Sequence, residues 1–112
     1  MSKEEELNEQ VKALIARDFD LDFKEQKFTE EELFDVLADQ IAWMIENRIE
    51  FLLSLMYRMD VLEKDINKAL HPANEDPANI ALAKLVWARQ KQRIFTKQQY
   101  KQGKIDDDEW AL

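Results

Sequence analysis

Two pairs of carboxylates, Asp35 with Asp39 and Glu46 with Glu50, stand four residues apart, the spacing that on a helix lets two acids share a proton or a divalent ion. A helical two-metal site also needs Glu-x-x-His pairs from neighbouring helices. The chain has one histidine, His71, and it precedes Pro72 in a polar stretch that reads as a loop. The carboxylates therefore read as solvated helix faces, His71 as a surface loop residue, and no metal site is assigned. Nucleophilic catalysis finds equally little: Ser2 lies near the N-terminus and Ser54 within an apolar run, neither with a histidine or lysine base at a recognisable spacing. Cysteine is absent, which removes thiolate nucleophiles, thiolate metal sites and disulfides, and fits a reducing compartment. The single glycine, Gly103, leaves no glycine-rich phosphate loop. The expectation is a protein that is not an enzyme and carries no cofactor.

Charge is the more informative pattern. Residues 1–76 hold nine basic and twenty acidic side chains, yet from Pro77 to Gly103 there is no acid at all. That stretch carries Lys84, Arg89, Lys91, Arg93, Lys97 and Lys101, with Lys104 just beyond, and then come Asp106, Asp107, Asp108 and Glu109. Such segregation in a chain of net charge −8 implies electrostatic pairing within the chain, across a dimer or with an acidic protein partner. Arg89, Lys91, Arg93, Lys97 and Lys101, with Phe95 and Tyr100 interleaved, could follow a phosphate backbone. The acidic remainder would repel the same polyanion, so nucleic acid is the alternative rather than the leading partner. In the segment 104–112, the acids stand between Ile105 and Trp110, the composition of a docking segment, and self-docking on the basic helix through Gly103 is the expectation. Arg48, Tyr57 and Arg58 are further interaction candidates: Arg48 and Arg58 sit amid the most apolar part of the chain, and Tyr57 with Arg58 marks the expected bend, where a polar tip on an apolar body suits a helix junction. Arg48 falls on the stripe through Met44, Leu52 and Leu55, so it is expected either buried with a carboxylate or where two subunits meet.

The elements that must carry these residues are helices, since one glycine and two prolines leave almost no tight-turn chemistry. A first helix is predicted over residues 2–17, then a connector over 18–27 that drops Phe19, Leu21 and Phe23 onto the core. Thr29 with Glu32 forms a capping box, and Phe28 with Leu33 a hydrophobic staple, so a long central helix is predicted from 29 to about 59. Asp60 with Glu63 repeats the capping spacing and predicts a short helix through Leu70 after a bend. Asp76 then caps a helix with Pro77 at its first position, ending near Gln102 at Gly103. The predicted architecture is all-α, a single helical domain over 1–112 built as a four-helix bundle with long second and fourth helices and short first and third.

The two long helices would extend roughly 45 and 39 Å, beyond the roughly 34 Å diameter of a compact sphere of this length. That overhang, with the broad apolar face from Ile49 to Tyr57, predicts a homodimer. The run from Ile41 to Tyr57 is broken by Glu46, Asn47, Arg48 and Glu50, and at roughly 2.5 to 3.5 kcal/mol for each charge at bilayer centre no membrane span is expected. Glu4, Glu5 and Glu6 with no apolar run around them do not read as a secretory signal, so the expected location is cytoplasmic. A ligand pocket lined by Trp43, Met44, Phe51 and Trp87 is a third reading, against which the same residues read more simply as core.

The segment Phe51-Leu-Leu-Ser-Leu-Met-Tyr57-Arg58-Met-Asp60-Val61-Leu-Glu63 resembles a Leu-Leu-Tyr-Arg-Ile/Met-Asp-Val-x-Glu stretch of small bacterial helical proteins without an assigned activity. The resemblance implies a bacterial, cytosolic, all-helical protein without an assigned activity, and it carries over no catalytic residue. From the residues themselves the expectation is a protein of protein–protein interaction or assembly, of unknown role.

Overall fold

The capping box at Thr29 forms as its sequence requires: Thr29 Oγ1 accepts the Glu32 N–H at 3.1 Å and Glu32 Oε1 accepts the Thr29 N–H at 2.9 Å. Glu30, Glu31 and Glu32 in the first turn meet the positive end of the helix dipole. A computed structural model describes the backbone of residues 3–23 and 27–102, with side chains at 6–23 and 27–97. Over those residues the protein is all-α: α1 (Lys3–Phe19), α2 (Glu30–Asn47), α3 (Ile49–Arg58), α4 (Glu63–Leu70) and α5 (Ala78–Gln102). No strand occurs among them.

Five helices stand where four were expected, because the predicted central helix is interrupted at Arg48. Leu33, Leu37, Ile41 and Met44 form its buried stripe, and a continuous helix would set Arg48 next on it. Burying an unpaired guanidinium costs several kcal/mol, whereas interrupting a helix for one residue forfeits about one backbone hydrogen bond, roughly 0.5 to 1.5 kcal/mol net. The backbone therefore departs from helix at that residue alone (φ −149°, ψ 52°) and Arg48 is exposed. The stripe resumes in α3 with Leu52, Leu55 and Met56. Arg48 N–H still bonds the Met44 carbonyl at 2.7 Å, and the Arg48 carbonyl takes Leu52 N–H at 3.0 Å.

Asp60 is the second departure from expectation. It does not cap α4, whose N-cap is Leu62 with no side-chain bond. Instead it ends α3 in the left-handed region (φ 65°), with Asp60 N–H on the Tyr57 carbonyl and Val61 N–H on the Met56 carbonyl at 3.0 and 3.1 Å, the paired bonds of a Schellman motif. Asp20 (φ 55°) ends α1 in the same way, with Leu21 N–H on Ala16 O at 2.9 Å. α5 starts one residue later than expected, Pro77 supplying the carbonyl for Ala81 N–H.

One hydrophobic cluster draws on all five helices, from Val11, Ile15 and Phe19 on α1 to Ala83, Val86 and Ile94 on α5. Each fully buried Leu or Ile contributes about 1.5 to 3 kcal/mol. Asp18 and Phe19, expected in the connector, form the last turn of α1, and beyond it Phe23 and Phe28 meet edge to face at 5.2 Å. α5 packs on α1, α2 and α4, and α2 on α1 and α3. The extents are 47 × 32 × 24 Å. Among the described residues no helix is long and apolar enough to cross a membrane.

Candidate functional site

The buried stripe of α5 decides where its cations point. Ala83, Val86, Trp87, Gln90 and Ile94 recur at steps of one helical turn and are buried; Gln90 is wholly inaccessible and is the one polar residue buried among those described. Its Nε2 donates to Asp18 Oδ2 at 2.9 Å and to Met59 Sδ at 3.4 Å, while its Oε1 accepts from Arg93 Nη1 at 2.9 Å. Arg93 Nη1 also lies 3.3 Å from Asp18 Oδ2, and Arg17 Nε donates to Asp18 Oδ1 at 3.2 Å. Asp18 sits in the last turn of α1, where the helix dipole opposes an anion. Three donors converging on its side chain, 13% exposed, supply the compensation.

Arg89, one residue before, reaches the other way. Its Nε donates to the Met59 carbonyl at the C-cap of α3 at 2.7 Å, Nη2 stands 3.5 Å from Asp60 Oδ2, and Nη1 donates to Gln92 Oε1 at 2.9 Å. A guanidinium at the negative end of a helix is favourable, and here it fastens α5 to the α3–α4 turn. On another face Glu30 Oε1 accepts from Lys91 Nζ at 2.8 Å and from Trp87 Nε1 at 3.3 Å. The Lys91 hydrogen bond holds the Glu30 carboxyl below the ordinary glutamate range, against a smaller opposing effect of burial. Lys84 Nζ meets Asp76 Oδ2 at 2.8 Å.

Lys84, Arg89, Lys91 and Arg93 thus each face a carboxylate of this same chain. Lys97 is exposed and makes no ion pair among the described residues. The Lys101 side chain and Trp110 lie outside the described residues. Between α1 and α5 an open cleft of about 500 Å³ is lined by Arg17, Arg93 and Lys97 together with Ala13, Leu14 and Ile94. The chain matches no protein-family model, no curated protein and no solved structure. Its own residues set what this cleft can do: offer guanidinium and ammonium donors beside an apolar wall.

Arg48, Tyr57 and Arg58 stand apart from that cleft on α2–α3. The Arg48 guanidinium carbon lies 4.5 Å over the Phe51 ring, a cation–π geometry, and it pairs with no carboxylate among the described residues. Tyr57 is 45% exposed, Trp43 51% and Phe51 40%; Arg58 is exposed. Met44 and Trp87 are buried, and neither the α1–α5 cleft nor the clefts at Arg89–Lys97 and Asn67–Asp76 are lined by any of the four residues considered for a ligand pocket. His71 Nδ1 accepts the Ala73 N–H at 3.0 Å and shapes the loop. Asp35, Asp39, Glu46 and Glu50 are exposed, and no cluster of three potential metal ligands occurs among the described residues.

Sequence reasoning missed Gln90, Asp18, Arg17 and Glu30. For Gln90 a signal existed, since a polar residue occupies the apolar stripe between Val86 and Ile94. For Asp18 there was none, because its partner lies 72 residues away.

Proposed function

We propose that this chain is a non-enzymatic interaction or assembly protein that pairs with a second copy through the outer face of α2–α3. The carrying observation is where large apolar side chains stay exposed. Of five such residues among those described, Trp43, Phe51, Tyr57 and Leu62 fall within residues 43–62, and Phe95 is the fifth. Trp, Tyr and Arg are the residue types that dominate interface energetics, and Arg48 over Phe51 adds a preformed anchor. The overhang of a single 45 Å helix no longer contributes, since α2 and α3 are separate.

A nucleic-acid module on α5 is supported less, because four of its cations are engaged by this chain's own acids. The bacterial helical proteins that residues 51–63 resemble bring no activity that competes with this reading. Sedimentation velocity at micromolar concentration tests it. The expected result is a species of twice the chain mass, insensitive to added salt and reduced to monomer by Phe51→Glu or Trp43→Glu. A wild-type monomer throughout would overturn the reading.

A further inference from the structure

We propose that the cleft between α1 and α5 is the docking groove for this chain's own acidic segment, residues 105–110, a step beyond the dimer face and independent of it. The cleft presents Arg17, Arg93 and Lys97 beside Ala13, Leu14 and Ile94. The segment presents the matching sequence in one stretch: Ile105, then Asp106, Asp107, Asp108 and Glu109, then Trp110. Arg17 and Arg93 side chains are 62% and 32% exposed even while they hold Asp18, and each guanidinium has five N–H donors, so both have donors left for a second carboxylate. Lys97 is exposed with no ion pair among the described residues. It is the one cation of α5 with a described side chain that this chain's described acids leave unmatched.

Reach favours this occupant. Lys97 and Ile94 lie five and eight residues before the end of α5 at Gln102, about 7.5 and 12 Å along the helix axis. Residues 104–110 in extended form cover about 23 Å at 3.3 Å each. Gly103, which has no Cβ, lets the chain reverse between the two without steric cost. A short connection also keeps the segment at an effective concentration on the order of millimolar at the cleft, above what a second copy offers at micromolar concentration. The acids match the three cations, and Ile105 and Trp110 match the apolar wall, which a bare polyanion would leave uncovered. Docking there completes the neutralisation that Asp18, Glu30, Asp60 and Asp76 begin.

The full chain has no cysteine, so a spin label placed by Glu6→Cys, an exposed position on α1 one turn from Gln10, which also lines the cleft, reports without competing thiols. In the ¹⁵N-labelled full chain the label is expected to broaden the amides of residues 106–110, to the same degree at all protein concentrations. Lys97→Glu, or replacement of the four acids by Asn and Gln, is expected to restore those signals while leaving the α1 amide pattern unchanged. Sharp signals for 106–110 in the labelled Glu6→Cys chain, with cleft and acidic segment otherwise native, overturn the proposal. So does broadening that fades on dilution, which assigns the cleft to a second copy's segment, or broadening that persists in either variant.

Discussion

Replacing Gln90 by leucine is the sharpest test of the polar network at the core of the α1–α5 contact. The amide makes three bonds, to Asp18, Met59 and Arg93, and two of those partners are charged. A hydrogen bond to a charged group contributes about 1.5 to 3 kcal/mol when fully desolvated. Here the loss is smaller. Asp18 keeps Arg17 and Arg93, and Arg93, one-third exposed, finds water in place of the amide. Leucine in place of a buried amide returns about 1 kcal/mol or more of transfer free energy. The net expectation for Gln90→Leu is a destabilisation of about 1 to 2 kcal/mol. Gln90→Ala loses the same bonds, returns less and leaves a cavity, so about 3 kcal/mol is expected. Urea unfolding followed by circular dichroism reads both, as midpoint shifts of roughly 1 M and more for a slope in the usual range. A double-mutant cycle with Asp18→Ala should give a coupling of about 1 kcal/mol. A Gln90→Leu protein as stable as wild type, with no coupling to Asp18, would refute the assignment and place this network with those that an apolar core replaces without loss.

Asp60→Gly should stabilise by about 0.5 kcal/mol in the same assay. It relieves a left-handed non-glycine residue and forfeits only a 3.5 Å pair whose carboxylate is 79% exposed. Glu30 makes the acid limb of stability testable: its carboxyl is held below the ordinary glutamate value by Lys91, so its contribution is full above the unfolded value and is lost as pH falls through the folded one. Glu30 is half exposed, which limits that contribution to about 0.5 kcal/mol; Glu30→Gln should cost that much at neutral pH and nothing in acid, and a carbon-detected titration should find the Glu30 carboxyl protonating below the ordinary glutamate range.

What the sequence revealed was local, and what it hid was either ambiguous or distant. The capping box at Thr29 and the extent of α5 follow from a few neighbouring residue types. Asp60 was misread because aspartate suits both a helix N-cap and a left-handed C-terminal turn, and the Glu63 three residues on favours the wrong one of the two. Arg48 lay on a helical stripe by spacing, and spacing cannot show that one non-helical residue is cheaper than a desolvated guanidinium. Charge segregation announced that α5 would find acids, in this chain, a second copy or a partner, but not which, since Asp18, Glu30 and Asp60 stand 75, 61 and 29 residues from their cations.

Those pairings explain why a net acidic protein would concentrate its positive charge in one helix. α5 touches the end of α1 through Arg93, the start of α2 through Lys91, the α3–α4 turn through Arg89 and the preceding loop through Lys84. Each pair is at most about 1 kcal/mol at this exposure, too little to drive folding against the apolar cluster. Their use is geometric: four carboxylates on four separate elements admit one rotation of α5 about its axis, the rotation that also buries Gln90 and aims Trp87 Nε1 at Glu30. With that charge absorbed internally, the exposed side chains of residues 43–62 are left as the surface on which the proposed association would depend. Self-association should therefore persist at salt concentrations that loosen the acidic segment from its cleft. The two events respond differently to ionic strength, the one resting on apolar area and little affected, the other on charge that salt screens.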